Sequence, residues 1–284
     1  MRRTTAEAEP RRPLAVITDL DGCLLDARTY DAGPARGVLR RLRREGVPLV
    51  LCTSKTRVEV AHLFRQLGGP HLAVVEDGGG LLLPPGVAPR ATAPRARRTR
   101  DGRLVALSMP YARIRRAFAE LRRRSGNGVV GFGDLEVAEI ARLAELPLAA
   151  ARRAARREFD EPFIVTRDPR RVMGLVKRLA ARRGLAVTRG GRFHHLHGDT
   201  DKGRATLLVR RILEQARGAV TLVALGDSVL DAPMLAAADV AIIVPRPDGR
   251  LDPVLRRRVP RARVAPAPGP AGWAAAVTRV LTGR

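Results

Sequence analysis

Apolar residues along this chain come in two rhythms. Unbroken runs of aliphatic and β-branched residues occupy Leu14 to Thr18, Val47 to Cys52, Leu72 to Val75, Ala219 to Leu225 and Val240 to Val244. Runs of that length without polar alternation predict strands covered on both faces, as in a parallel sheet. Between and after them, apolar residues recur at helical spacing. Helices are predicted over 34–45, with Pro34 at the start and Gly46 at the end, and over 56–67, stopped by Gly68-Gly69. Three more follow over 203–216, 231–237 and about 271–282. Strand and helix alternate, so the expected fold is α/β, with a doubly wound, mostly parallel, Rossmann-like core sheet. Ligands of such sheets sit beyond the carboxyl ends of the strands.

The middle of the chain breaks the pattern. Residues 84–100 are rich in Pro, Ala and Arg and have no periodicity, which predicts a loop and a domain boundary. Residues 103–197 then alternate helical stretches (110–124, 134–145, 148–157, 170–183) with short strands (163–166, 185–189, 192–196). The simplest organisation is a core domain of residues 13–84 and 198–284. A smaller α/β cap, residues 85–197, is inserted in it, and residues 1–12 form a disordered tail.

Composition narrows the partners. No apolar run approaches the ~20 residues of a membrane span, and the charged first twelve residues lack a secretory signal's apolar stretch. A cytoplasmic protein that meets no membrane is expected; nothing in the sequence sets its oligomeric state. The net charge of +25 admits a nucleic-acid-binding reading. That charge is spread along helices, as in Arg122-Arg123-Arg124, and aromatics are only 3%, so no nucleic-acid partner is expected. Cys23 and Cys52 make neither a disulfide framework nor a four-ligand zinc site, and read as reduced, buried thiols. Of 53 basic residues only Lys55, Lys177 and Lys202 are lysine. A lysine retained against that bias marks a place where a compact ammonium is needed.

Candidate chemistry gathers at predicted strand ends. Asp19 and Asp21 end the first strand, before Gly22, and residues two apart in extended chain point the same way. Two converging carboxylates suit a hard cation. Gly226-Asp227-Ser228, with Asp231 four residues on, ends another buried strand; Asp227 or Ser228 can equally cap the next helix. Lys202 opens a helix, where a cation is slightly unfavourable unless carboxylates or phosphate sit opposite. Cys52-Thr53-Ser54-Lys55-Thr56 ends the second strand, where a hydroxyl beside helix N–H groups can hold phosphate oxygens, or cap the helix.

In this order the motifs resemble the haloacid dehalogenase-like hydrolases, over nearly the whole chain. The resemblance implies an aspartyl-phosphate mechanism. Asp19 would attack phosphorus, Asp21 would serve as acid and then base, and Thr53 and Lys202 would hold the phosphoryl oxygens. Mg²⁺ would be held by Asp19, the carbonyl of Asp21 and Asp227, with Asp231 supporting that site or Lys202. Cys52 to Arg57, Arg157 to Phe163, Gly190 to Leu196 and Gly198 to Gly203 are similar to the mannosyl-3-phosphoglycerate phosphatase family. The expected activity is therefore Mg²⁺-dependent release of phosphate from mannosyl-3-phosphoglycerate, giving mannosylglycerate, a compatible solute. Glucosyl-3-phosphoglycerate or another small sugar phosphate is the alternative substrate. Three positions depart from relatives: Cys23 in place of Thr, Asp77 in place of Asn, and Val229-Leu230 in place of Pro-Asn.

Substrate-binding candidates are Ser54 and Lys55 beside Thr53, Arg157 and Arg192 for a glycerate carboxylate, and His195 and Glu161 for sugar hydroxyls. His195 and His197 share one face of a strand while His194 opposes it, which argues against three histidines converging on zinc.

Overall fold

The computed structural model describes residues 12–85 and 96–283. The tail expected at 1–12, apart from Arg12, and most of the loop expected at 84–100 lie outside them. The strands are β1 Leu14–Thr18, β2 Leu49–Cys52, β3 Leu72–Val75, β4 Gly80–Leu83, β5 Ala96–Thr99, β6 Gly102–Ala106, β7 Val129–Gly131, β8 Asp160–Val165, β9 Leu185–Gly190, β10 Phe193–Gly198, β11 Thr221–Gly226, β12 Val240–Ile243 and β13 Arg263–Val264. Among the described residues they form a nine-stranded sheet, ordered β13-β12-β11-β1-β2-β3-β4-β6-β5, and a four-stranded one, ordered β7-β8-β10-β9.

The run β13 to β3 is parallel throughout, as the unbroken apolar runs require. Alternate residues of β1 serve opposite faces. Val16 packs on the side covered by helices Arg36–Arg44 and Gly269–Leu281, while Ala15 and Ile17 face Lys202–Arg217, Ala232–Ala236 and Pro253–Arg258. Full burial of a side chain such as Ile17 or Leu51 contributes ~1.5–3 kcal/mol relative to exposure. This is the doubly wound core the apolar pattern predicts.

Antiparallel strands β4, β6 and β5 extend that sheet on one side. Residues 96–106, placed by sequence in the loop and the inserted module, are thus strands of the large sheet. Their pattern is weak because β5 is an edge strand with Arg97 and Arg98 exposed; Leu104 alone in the β6 stretch is buried, in the core. The small sheet is antiparallel and carries helices Tyr111–Arg124 and Pro169–Ala181 over Phe118, Phe163, Val176 and Leu196. Both cysteines are free and buried.

Candidate active site

Strands β11, β1, β2 and β3 are parallel neighbours, so their carboxyl ends share one edge. That edge brings Asp19 and Asp21 after β1, Thr53 after β2, Asp77 after β3, and Asp227 and Asp231 after β11 to one place. Gly22 turns the chain there at φ +80, and a Cβ on it would lie 3.0 Å from the Asp227 carboxylate. Only glycine lets the two acidic segments approach so closely.

Lys202, 3% exposed, stands at the centre. Its ammonium donates to Asp19 Oδ1 at 2.7 Å and Asp231 Oδ1 at 2.6 Å, and lies 3.6 Å from Asp77 Oδ1. Burial alone would lower its pKa; Asp19, Asp231 and Asp77 more than offset this and hold it above the ordinary lysine value. Asp201 caps the helix Lys202–Arg217 by accepting the Arg204 N–H at 2.9 Å, which fixes Lys202 at its first turn.

The three carboxylates at β1 and β11 differ in what remains free. Asp231 is fully buried and committed on both oxygens: Oδ1 to Lys202, Oδ2 to the N–H groups of Asp227 and Ser228 at 3.0 Å and the Ser228 hydroxyl at 3.1 Å. These bonds place Asp231 against both Lys202 and the Asp227 segment. Asp227 meets no side-chain donor among the described residues, and burial, reinforced by Asp231 and opposed by Lys202, pushes its carboxyl up to about 7. Burial likewise raises Asp19, with Asp231 and Asp227 adding to it and Lys202 opposing. Asp19 Oδ2 accepts no hydrogen bond among the described residues and is free to act. Oxygens of Asp19, Asp227 and Asp231 lie within 4.8 Å of one another, an all-oxygen cluster with more negative charge than Lys202 balances.

Asp21 points its Oδ2 at Lys55 Nζ, 2.6 Å away, and leaves Oδ1 buried without a partner among the described residues. Thr53 is buried, with its hydroxyl accepting the Lys55 N–H at 3.2 Å. The site is completed by a strained corner of which the sequence marked only Asp77. Glu76, Asp77 and Gly78 all have positive φ (49, 53 and 104), a conformation costly for the two acidic residues. A Cβ at Gly78 would run into the Asp201 carbonyl, so this corner and the Lys202 helix pack backbone to backbone. The glycine run after Asp77 was the available signal.

Glu76 reaches the other layer. Its carboxylate, 1% exposed, accepts the N–H of Glu158 at 3.0 Å and of Phe159 at 2.8 Å. Burial dominates and pushes its carboxyl up to about 8, against the pull of Arg157 and those N–H groups. The folded protein therefore holds a proton there that the unfolded chain releases near pH 4.5. Its contribution is full below that value and lost as pH rises through about 8, on the order of 5 kcal/mol. Glu76→Gln, which imitates the protonated acid, is expected to flatten that alkaline decline. Urea titrations of both proteins from pH 5 to 9 measure it, and parallel curves would refute it.

The other candidates separate. Arg157 is buried and donates through Nη1 to the Ser54 carbonyl at 2.9 Å and to Asp160 Oδ2 at 3.3 Å, a strut between layers. Ser54 serves as its main-chain acceptor. Glu161 has no exposed surface; Tyr111 (2.5 Å), Arg115 (3.1 Å) and the Gly133 N–H (2.9 Å) occupy its oxygens inside the small layer. Arg192 is half exposed at the β9–β10 turn and pairs with Glu145 at 2.5 Å. His195 Nδ1 meets Asp160 Oδ2 at 2.7 Å; burial lowers its pKa, but Asp160 and Asp77 more than restore it, so the ring stands above its ordinary value and near the site. His197 turns to the Gly198 carbonyl and Thr188, and joins no metal cluster among the described residues. Thr56, Arg57 and Glu158 add contacts between the layers that the sequence gave no means of assigning: Thr56 Oγ1 to the Arg153 carbonyl at 3.0 Å and Arg57 Nε to Glu158 at 3.0 Å.

No family model matches the chain. A glucosyl-3-phosphoglycerate/mannosyl-3-phosphoglycerate phosphatase of Methanococcoides burtonii is 34% identical over 266 residues, 94% of this chain and 96% of the relative. One from Persephonella marina is 36% identical over 270 residues, 94% and 97%. In solved structures, a phosphatase of the haloalkanoate (HAD) superfamily from Bacteroides thetaiotaomicron shares the fold at TM-score 0.64 and 18% identity, covering 98% of each chain. A HAD subclass IIB sugar phosphatase does so at 0.61 and 13%, covering 95% and 99%.

Proposed function

Because the chain belongs to the glucosyl-3-phosphoglycerate/mannosyl-3-phosphoglycerate phosphatase family of haloacid dehalogenase-like hydrolases, we propose that it releases phosphate from a glycosyl-3-phosphoglycerate. Mannosyl-3-phosphoglycerate comes first and glucosyl-3-phosphoglycerate is the alternative. The observation that best supports this reading is the buried Lys202 bridging Asp19 and Asp231 beside Thr53, at the carboxyl edge of a parallel sheet.

Asp19 is the nucleophile in this mechanism. Its free Oδ2 attacks phosphorus, and the bond from phosphorus to the 3-oxygen of the glycerate breaks as the aspartyl phosphate forms. Asp21 gives its proton to the departing oxygen. It then takes one from water, whose oxygen attacks the phosphoryl group and restores Asp19. Lys202 and Thr53 hold phosphoryl oxygens, and Asp231 keeps Lys202 aimed.

The hard oxygen donors fit Mg²⁺, which Asp19, Asp227 and the Asp21 carbonyl would hold, with Asp231 behind them. When bound, the ion would screen the repulsion between carboxylate and phosphate. Protons compete for the same oxygens, so affinity should rise with pH through the Asp227 value of about 7. Mg²⁺ at a hundredfold excess over Kd stabilises by ~2.7 kcal/mol. The thermal midpoint is expected to rise by several degrees at pH 8, far less at pH 5.5, and hardly at all in Asp227→Asn. An equal rise at both pH values would contradict these ligands.

The functional test is phosphate release from both glycosyl-phosphoglycerates and from simple hexose phosphates, with and without Mg²⁺. Higher kcat/KM on a hexose phosphate than on both phosphoglycerates would overturn the substrate reading.

A further inference from the structure

A cavity of about 240 Å³ opens beside the proposed acid–base residue, between the two layers. Tyr30, Lys55 and Leu63 line it from the core, and Leu146, Ala150 and Arg153 from the other layer. Lys55 sits on its boundary. The ammonium is 4.6 Å from the Tyr30 ring centroid and 2.6 Å from Asp21 Oδ2, with the side chain 13% exposed.

The charges around this space are unevenly committed. Glu59, also in the lining, accepts the Thr56 N–H at 2.8 Å through Oε2 and adds its charge to that of Asp21 beside Lys55. Asp31 is paired with Arg36 at 2.6 Å. Arg153 forms no ion pair among the described residues. Lys55 has one firm partner, Asp21, whose other oxygen is buried with none. The space thus offers two cations, one spare and one lent to Asp21, next to an aromatic face.

That pairing poses a problem for the reaction. The 2.6 Å contact through Oδ2 fixes the Asp21 carboxyl in one orientation for as long as Lys55 has no other anion to meet. A competing anion would release it.

We propose that Lys55 is a specificity residue that changes partner. It holds Asp21 in the resting enzyme and passes to the substrate's carboxylate in this cavity, freeing Asp21 to turn to the leaving oxygen. The inference rests on the substrate reading above, since a phosphoglycerate carries a carboxylate close to its phosphoester. Arg153 supplies the second charge for that group. Substrates without a carboxylate leave Lys55 on Asp21 and turn over slowly.

A minimal substrate pair tests this. In 3-phosphoglycerate a carboxylate stands where glycerol 3-phosphate has a hydroxymethyl group. Wild-type enzyme is expected to favour 3-phosphoglycerate by at least ~10-fold in kcat/KM, the scale of one hydrogen bond to a charged group. Lys55→Met should collapse that ratio at least ~10-fold, through a rise in KM and a fall in kcat for 3-phosphoglycerate. Arg153→Met should move KM alone. If Lys55→Met lowers both substrates by the same factor, Lys55 only braces Asp21 or binds phosphate, and the proposal fails while the phosphatase assignment stands. A preference surviving intact in the variant also overturns it. A wild-type preference for hexose phosphates would instead remove the substrate reading, and the pair would still report on Lys55. Calorimetric binding of the two compounds to Asp19→Asn protein, with and without Lys55→Met, gives the same contrast without turnover. Equal affinities there count against the exchange.

Discussion

Asp19→Asn is expected to lower phosphate release by at least ~10⁴-fold, as removal of an attacking group does elsewhere, while the protein stays folded. The amide cannot form the aspartyl phosphate. It can still accept from Lys202, and Lys202 keeps Asp231 at 2.6 Å and Asp77 at 3.6 Å, so no buried ammonium is stranded. Steady-state release on the preferred glycosyl-phosphoglycerate, together with substrate binding by calorimetry, distinguishes chemistry from folding. A variant within tenfold of wild type would sink the nucleophile assignment. Asp19→Glu is expected to be nearly as inactive, because one added methylene moves the attacking oxygen off the position set by the β1 carboxyl end.

Lys202→Met carries the largest expected stability effect. Asp19 Oδ1 and Asp231 Oδ1 both lean on the one ammonium. Removing it leaves two buried carboxylates facing each other without a cation. Breaking a buried pair in this way costs ~3–5 kcal/mol, and activity should fall ~10³-fold or more as the phosphoryl oxygens lose their fixed charge. Lys202→Arg should rescue neither. The site takes a point charge between Asp19, Asp231 and Asp77, and a planar guanidinium presents its donors in a fork. Urea unfolding of the three proteins at pH 7 measures the stability effect; a loss below ~1 kcal/mol in Lys202→Met would show that the network is not the support described.

The core was legible in the sequence because its rules are local. A strand buried on both faces must be apolar without alternation, so Leu14 to Thr18 and Ala219 to Leu225 announced themselves. A carboxylate just past such a run has nowhere to lie but the sheet's edge. The scarcity of lysine pointed to Lys55 and Lys202, and both sit on catalytic-edge carboxylates. The small layer was legible as elements and much less as contacts. Arg157 and Glu161 carry the right charges for a glycerate and a sugar, yet one is spent on the Ser54 carbonyl and the other on Tyr111 and Arg115. Which polar side chain a fold consumes internally depends on neighbours forty or a hundred residues away. Glu76 was missed for the same reason, since its partners are main-chain groups at Glu158 and Phe159. Strands β5 and β6 were missed because an arginine-rich edge imposes little pattern on its residues.

The membership of β5 and β6 in the nine-stranded sheet bears on recombination between relatives. A chimera meant to import another enzyme's substrate preference should be spliced near 107, after Ala106, and near 198, where β10 ends. Splicing at 85, where the composition changes, would exchange two strands of the host's own scaffold and set a foreign β6 against β4, so that a poor pairing there would expose a sheet edge and invite self-association.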